Sequence, residues 1–138
     1  MEGKITVITI VVTDQTRSLE FFTEQAGFEK RTDITPPGGS RWVSVGLRGD
    51  GVEIALWPVS GAVDPSQKEL SRNWSPAKAP PIVLKVVDCR RAYQEMSARG
   101  VEFILAPEDH PWGTVATFKD LDGNLFSMSQ PPSAWPKA

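Results

Sequence analysis

Apolar and polar positions alternate in short runs along this chain, and the runs come in two matching sets. Lys4 to Thr13 is β-branched almost throughout (KITVITIVVT), which predicts a strand with both alternating sets apolar or Thr and so buried on both faces. Asp14 then has the chemistry of a helix cap. From Gln15 to Ala26 the period changes to that of a helix, with Leu19, Phe22 and Ala26 as an apolar stripe, Phe21 flanking it and Gly27 ending it. Phe28 to Asp33 reads as a second strand and Thr35 to Ser40 as a loop. Arg41 to Leu47 and Val52 to Trp57 read as a hairpin around Arg48-Gly49-Asp50-Gly51.

Residues 58–80 have little periodicity and are rich in Pro, Ser and charge. They are read as a linker, with a helical turn around Gln67 to Ser71. The pattern then restarts. Ile82 to Val87 is a strand, Asp88 a cap, Arg90 to Ala98 a helix with Tyr93 and Met96 inward, and Val101 to Leu105 a strand. Pro107, Glu108, Asp109, His110 and Pro111 are expected in a loop. Thr114 to Phe118 and Leu125 to Ser129 form a last hairpin across Asp120-Leu121-Asp122-Gly123-Asn124, whose Asp, Gly and Asn suit a tight turn. The tail from Pro131 to Ala138 is Pro-rich and expected to be loosely held.

Each set therefore reads β-α-β-β-β. Asp14 and Asp88 lie 74 residues apart, Gly27 and Gly100 73, and Gly51 and Gly123 72. A spacing kept across a cap, a helix end and a turn indicates an internal duplication. The expected architecture is α+β, a single domain over residues 1–138 made of modules 4–57 and 82–130 with linker 58–80 between them.

Composition narrows the function. The chain has 138 residues, 40% hydrophobic and 23% charged, with a net charge of −2. That is the composition of a one-domain globular protein, and it lacks the basic excess that nucleic acid binding needs. No apolar run approaches the ~20 residues of a membrane span. The apolar start leads into a helix pattern with no cleavage site, so it is read as a strand and not as a signal peptide. One cysteine, Cys89, excludes an internal disulfide and a multi-thiolate metal site, and is expected at a helix start near the surface. One histidine, His110, excludes mechanisms that need two. The reading is a reduced, cytoplasmic protein without nucleic acid or membrane partners.

The tandem β-α-β-β-β pair and its closing hairpin resemble the vicinal oxygen chelate superfamily, which includes glyoxalase I, extradiol dioxygenases and the bleomycin-resistance proteins. The stretches that carry the resemblance are VVTDQTRSLEFFTEQAGFEK, GVEIALW, VVDCRRAYQEMSARGVEF and PWGTVATFKDLDGN, and it spans residues 4–130. It implies curved mixed sheets around a cavity, helices packed outside, and pairing as a homodimer. It also implies four metal-ligand positions, which fall here on Val7, Ala55, Pro81 and Ser127; the expected metal set is therefore none. A strand slip of two would substitute Glu53 for Ala55, and one carboxylate alone does not make a metal site.

Strand alternation assigns the remaining faces. Val43, Val45 and Leu47, with Val52, Ile54 and Leu56, are expected against the helices. Trp42, Ser44 and Gly46, with Glu53, Ala55 and Trp57, are expected to face the other way. So are Val7, Thr9 and Val11 of the first strand, Pro81, Val83 and Lys85 of the fifth, and Leu125, Ser127 and Ser129 of the last. Apolar walls, stacking aromatics and a few polar groups fit a small-molecule site. The candidate ligand-binding residues are Trp42, Ser44, Glu53, Trp57, Lys85, Ser127 and, near the mouth, Trp112. Glu53 is expected to select a cationic or hydrogen-bond-donating group.

Three readings follow. One is a protein that binds a small, flat or amphipathic molecule without cofactor or metal, for sequestration or resistance. A second is a lyase, isomerase or dioxygenase of the same superfamily, metal-free or with a site relocated to Glu53, Glu108, Asp109 and His110. The third is a structural or interaction module in which the indoles, including Trp74 and Trp112 on loops, serve packing or an interface.

Overall fold

The computed structural model describes residues 1–59 and 79–133. The expected helical turn at Gln67 to Ser71, Trp74, and the tail beyond Ser133 lie outside the described residues. The chain divides into two compact units, Met1–Ser75 and Pro76–Ala138.

In the first unit β1 (Val7–Val12), α1 (Gln15–Glu20), β2 (Glu29–Ile34), β3 (Trp42–Gly46) and β4 (Glu53–Pro58) follow in order. The sheet runs β1-β4-β3-β2, with β1 parallel to β4 and the other pairs antiparallel. Asp14 caps α1 by accepting from the Arg17 amide at 3.0 Å. Phe21–Gln25 continue α1 as a π turn, closed by the Ala26 amide donating to the Phe21 carbonyl at 3.0 Å. Ser18, Phe21, Phe22 and Ala26 are buried, while Leu19, expected in the apolar stripe, is half-buried. Phe22 meets Phe21 and Phe28 edge-on at 5.2 Å. Beneath these rings lie Ile10, Val12, Val43, Val45, Ile54 and Leu56, all buried. Each such side chain contributes on the order of 1.5–3 kcal/mol by leaving water.

The large side chains of that core lie on one face of the sheet, while on the other the small residues Ser44, Gly46 and Ala55 are also buried. The expectation that β1 is buried on both faces does not hold: Ile10 and Val12 are buried, but Val7 and Thr9 on the opposite side are exposed. The strand is an edge strand with helix cover on one side, and β-branched residues suit it by shape as much as by hydrophobicity.

The second unit repeats the plan with β5 (Ile82–Lys85), α2 (Cys89–Ala98), β6 (Glu102–His110), β7 (Gly113–Lys119) and β8 (Leu125–Gln130), in the sheet order β5-β8-β7-β6. Asp88 caps α2 through the Arg91 amide at 3.1 Å. Its core is Leu84, Met96, Ala116, Phe118, Phe126 and Met128, with Phe118 stacked on Phe126 at 5.2 Å and Tyr93 edge-on to Phe103 at 4.7 Å. Cys89 stands at the start of α2 as expected, but it is fully buried, not near the surface. Its amide donates to the Gln130 side chain at 2.9 Å, which draws the first turn of α2 against β8.

The segment 107–110 belongs to β6 and not to a loop. Glu108 pairs with Val115, Asp109 with Thr114 and His110 with Gly113, after an irregularity between Leu105 and Glu108. Pro107 falls in that irregularity, and β6 is an edge strand, which are the two places where a sheet tolerates a residue without an N–H. The Asp120–Asn124 turn is as the sequence predicts. Asp120 accepts from the amides of Asp122 at 3.0 Å and Asn124 at 2.7 Å and from the Asn124 side chain at 2.9 Å. Gly123 takes φ of 86°, in the left-handed region.

Candidate functional site

The face of the first sheet turned away from α1 is set by register. Val7, Thr9 and Val11 of β1 lie beside Glu53, Ala55 and Trp57 of β4. Ala55 and Glu53 lie opposite Ser44 and Gly46 of β3. Ser44 and Trp42 lie opposite Thr32 and Ile34 of β2. Four of the seven predicted binding residues are thus brought together on one sheet face: Trp42, Ser44, Glu53 and Trp57.

Their contacts form two groups. Trp42 and Trp57 meet edge to face with centroids 6.3 Å apart, both half-buried. Such a pair contributes about 0.5–1.5 kcal/mol beyond area burial and leaves indole surface open on its outer side. One pair of strand positions away, the Ser44 hydroxyl donates to Glu53 Oε1 at 2.6 Å, and the Thr32 hydroxyl reaches the same oxygen at 3.5 Å. Ser44 is fully buried and Glu53 half-buried, so the carboxylate is held from below while its other oxygen keeps access to solvent.

A bulge in β2 adds a residue that alternation missed. Lys30 pairs with Val45 and Thr32 with Ser44, so Arg31 is the extra residue between them. Its guanidinium carbon lies 2.7 Å from where a Cβ on Gly46 would stand, over the same sheet face. A side chain at Gly46 would therefore have to push aside the Arg31 guanidinium, the far end of a flexible side chain. The guanidinium donates to the Leu47 carbonyl and lies 3.7 Å from Glu29. A pattern of strict alternation cannot reveal this, because the bulge shifts the phase by one residue.

The indole end is tied down from beneath. Arg41 grips Asp33 through two hydrogen bonds of 2.8 Å and donates to Thr16 at 2.7 Å. Gln15 Nε2 donates to the carbonyls of Arg41 and Leu56, both at 3.0 Å. Together they pin the start of α1 to the strand positions that flank Trp42 and Trp57. The Arg41 guanidinium holds the Asp33 carboxyl below the usual carboxylate range.

In the second unit the corresponding open face carries Val83 and Lys85 beside Ser127 and Ser129, and these opposite Thr117 and Val115. Lys85 is exposed. Ser127 is buried, and its hydroxyl is engaged with Thr117 at 2.8 Å. Trp112 lies in the turn between β6 and β7, is 52% exposed, and stacks on His110 at 4.6 Å with the rings 2° from parallel.

The superfamily's metal positions do not fit a metal here. Val7, Ala55 and Pro81 offer no side-chain donor, and the Ser127 hydroxyl is already paired. Glu53 is the one carboxylate nearby on β4, and it is bound by Ser44. Among the described residues no three His, Cys, Asp or Glu side chains gather into a metal-binding group. The Glu108-Asp109-His110 run is split by strand alternation: Asp109 is held by Arg90 at 2.9 Å and Thr114 at 2.7 Å, while Glu108 lies 3.9 Å from His110 Nε2.

A β-α-β-β-β plan used twice, with four-stranded mixed sheets helix-covered on one face, defines a glyoxalase-type fold. The chain belongs to the Glyoxalase/Bleomycin resistance protein/Dioxygenase superfamily, whose family model matches residues 4–128. It is 34% identical over 129 residues to the uncharacterized protein YurT of Bacillus subtilis (strain 168), across 92% of this chain and 98% of that protein. Among solved structures, UcmS2 superposes with a TM-score of 0.81 at 34% identity, over 94% of this chain and 98% of that one. TnmS3, an antibiotic binding protein from Streptomyces sp. CB03234, superposes with a TM-score of 0.73 at 25% identity, over 95% and 98%. No helix among the described residues is long and apolar enough to cross a membrane.

Proposed function

We propose that this chain binds a small, flat or amphipathic molecule without a metal, on the open face of its first sheet, in the service of sequestration or resistance. The observation that carries the reading is the open indole surface of Trp42 and Trp57 next to a carboxylate fixed by Ser44. Apolar stacking surface with one oriented polar group is what a binding site needs; a catalyst also needs a group placed to stabilise developing charge. The four ligand positions of the metal-dependent relatives carry Val7, Ala55, Pro81 and Ser127, which supports binding over metal-assisted chemistry. The likeness to an antibiotic binding protein supports it further.

Lys85, Trp112 and Ser127 belong to the second unit and are proposed as ligand contacts of that unit by itself, Lys85 and Trp112 because both are accessible and Ser127 only through its methylene and its paired hydroxyl. A homodimer is part of the same reading: Val83 and Leu105 are 66% and 57% exposed on the face of the second sheet away from α2, and a second copy would cover them. Sedimentation at micromolar concentration tests it. The binding test is tryptophan fluorescence titrated with a panel of flat amphipathic compounds. Wild type is expected to respond to at least one, and Trp42→Ala or Trp57→Ala to weaken that response while the fold is kept. A panel that leaves the wild-type signal unchanged would count against the proposal.

A further inference from the structure

Arg31 and Glu53 lie on the same open sheet face and do not pair with each other. Gly46 is directly opposite Glu53 in the β3–β4 register, and the Arg31 guanidinium fills the space above Gly46. Opposite positions on paired strands bring side chains within about 5 Å at Cβ. Yet each charged group is held by other partners: Glu53 Oε1 by Ser44 and Thr32, Arg31 by the Leu47 carbonyl and by Glu29. Among the described residues that leaves Glu53 Oε2 as an acceptor without a partner. Among the same residues it also leaves most of the five N–H donors of Arg31 unused. Neither set is sealed from water, since Ser18 Oγ is the one fully buried side-chain polar atom without a partner among the described residues.

We propose, resting on the binding reading above, that Arg31 and Glu53 together recognise an uncharged ligand edge carrying an N–H or O–H donor beside a carbonyl acceptor, as in a carboxamide. The donor is received by Glu53 Oε2 and the carbonyl accepts from the Arg31 guanidinium, while the flat body of the ligand lies along Trp57 and Trp42. The charges decide the class. A cationic group would gain from Glu53 and lose against Arg31 at similar range, and a carboxylate the reverse. A neutral donor–acceptor edge satisfies both half-buried charges, and a ligand lacking either function leaves one of them desolvated and unpaired. The expectation from sequence that Glu53 selects a cationic or hydrogen-bond-donating group is thereby narrowed to the neutral donor by a residue that only the bulge reveals.

The test is isothermal titration of the full chain with 2-naphthamide, N,N-dimethyl-2-naphthamide and 2-naphthylmethylammonium. These share one ring system and present, in turn, donor with acceptor, acceptor alone, and a cation. Wild type is expected to bind the primary amide about tenfold more tightly than either of the others. Gly46→Ala pushes the guanidinium aside without removing its charge, and the atoms it meets are the far end of a flexible side chain, so the fold is retained. In Glu53→Gln the preference over the dimethyl amide is expected to fall to within about twofold, with the dimethyl amide bound as before; in Gly46→Ala both amides are expected to weaken and the preference over the cation to fall to within about twofold. Circular dichroism confirms folding, and Arg31→Lys serves as a second variant that keeps the charge but loses the fork. Equal binding of all three probes by wild type would overturn the donor–acceptor assignment and leave the binding reading standing. So would a cation preference lost only in Glu53→Gln. A wild-type chain that binds none of the three contradicts the binding reading and this assignment with it.

Discussion

The Ser44 hydroxyl lies 2.6 Å from Glu53 Oε1, reaching diagonally across β3 and β4 on the face that α1 does not cover. A fully buried hydroxyl thus orients a half-buried carboxylate. Ser44→Ala removes that hold without leaving a buried donor unsatisfied. It is expected to lower stability by about 1 kcal/mol, below the usual range for a hydrogen bond to a charged group because Glu53 keeps some contact with water. Urea denaturation measures it, and a loss of ligand affinity larger than the loss of stability would show that the hold serves orientation.

Asp33 gives a pH signature. Its carboxyl is held below its ordinary value of 3.8, first by the hydrogen bonds from Arg41. A depressed carboxyl contributes stability that is fully present above the unfolded value and is lost as pH falls through the folded one. The Asp33–Arg41 contribution is therefore expected to fade only below about pH 3.8. Melting temperatures of wild type and Asp33→Asn should converge as pH is lowered through that window and stay apart at pH 5 to 7. Curves already superimposed at neutral pH would show that the pair adds nothing.

Asp120 is expected to behave in the opposite sense. Burial pushes its carboxyl up from 3.8, and the hydrogen bonds from Asn124 and Asp122 offset this only in part. A raised folded value means stability is greatest below the unfolded value and declines as pH rises through the folded one. Removing the acceptor altogether is costlier: Asp120→Ala takes away the acceptor of three hydrogen bonds, from the Asp122 and Asn124 amides and the Asn124 side chain, with an expected loss of about 2 kcal/mol or more. Chemical denaturation between pH 3.5 and 6 checks both, with Asp120→Asn expected to flatten the pH slope attributed to this group.

The fold was legible in the sequence because both of its devices are local. Asp14 and Asp88 cap helices by contacts within three residues, and Asp120 to Asn124 close a turn through their own side chains. The duplication repeats those signals, which is why the β-α-β-β-β order could be read twice. What could not be read were phase shifts. The buried stripe runs through Ser18, Phe21 and Phe22 and not through Leu19, and Phe21–Gln25 form a π turn that a regular helical period does not anticipate. The bulge at Arg31 turns a strand charge onto the open face, and the irregularity around Pro107 extends β6 through what reads as a loop. In each case the departure from regular period is fixed by packing that no short window of sequence contains. Trp42, Ser44, Glu53 and Trp57 lie on one face because β3 and β4 alternate regularly, so that part of the candidate site was visible from the start. Arg31 was not.

Cys89 offers a check on the second core. It is fully buried, its Sγ lies 3.8 Å from the Met128 carbonyl, and burial pushes its thiol up from the ordinary range. A protonated, covered thiol is a poor nucleophile. Reaction with a disulfide reagent at pH 8 is expected to be slow in the native protein and fast in denaturant, by at least about a hundredfold if opening is rare. Rapid labelling of native protein would show that α2 does not stay docked on β8.

The central claim is that the open face of the first sheet binds its ligand without a metal. The most direct measurement is isothermal titration of a compound that responds in the fluorescence panel, against protein stripped with chelator, then resupplied in turn with Mn²⁺, Fe²⁺, Ni²⁺ and Zn²⁺, in wild type and in Trp57→Ala. Binding is predicted to survive chelation unchanged, to gain nothing from any metal, and to weaken by roughly tenfold in Trp57→Ala as stacking surface is lost. Binding that disappears with the chelator and returns with one metal, or that ignores the loss of Trp57, would contradict it.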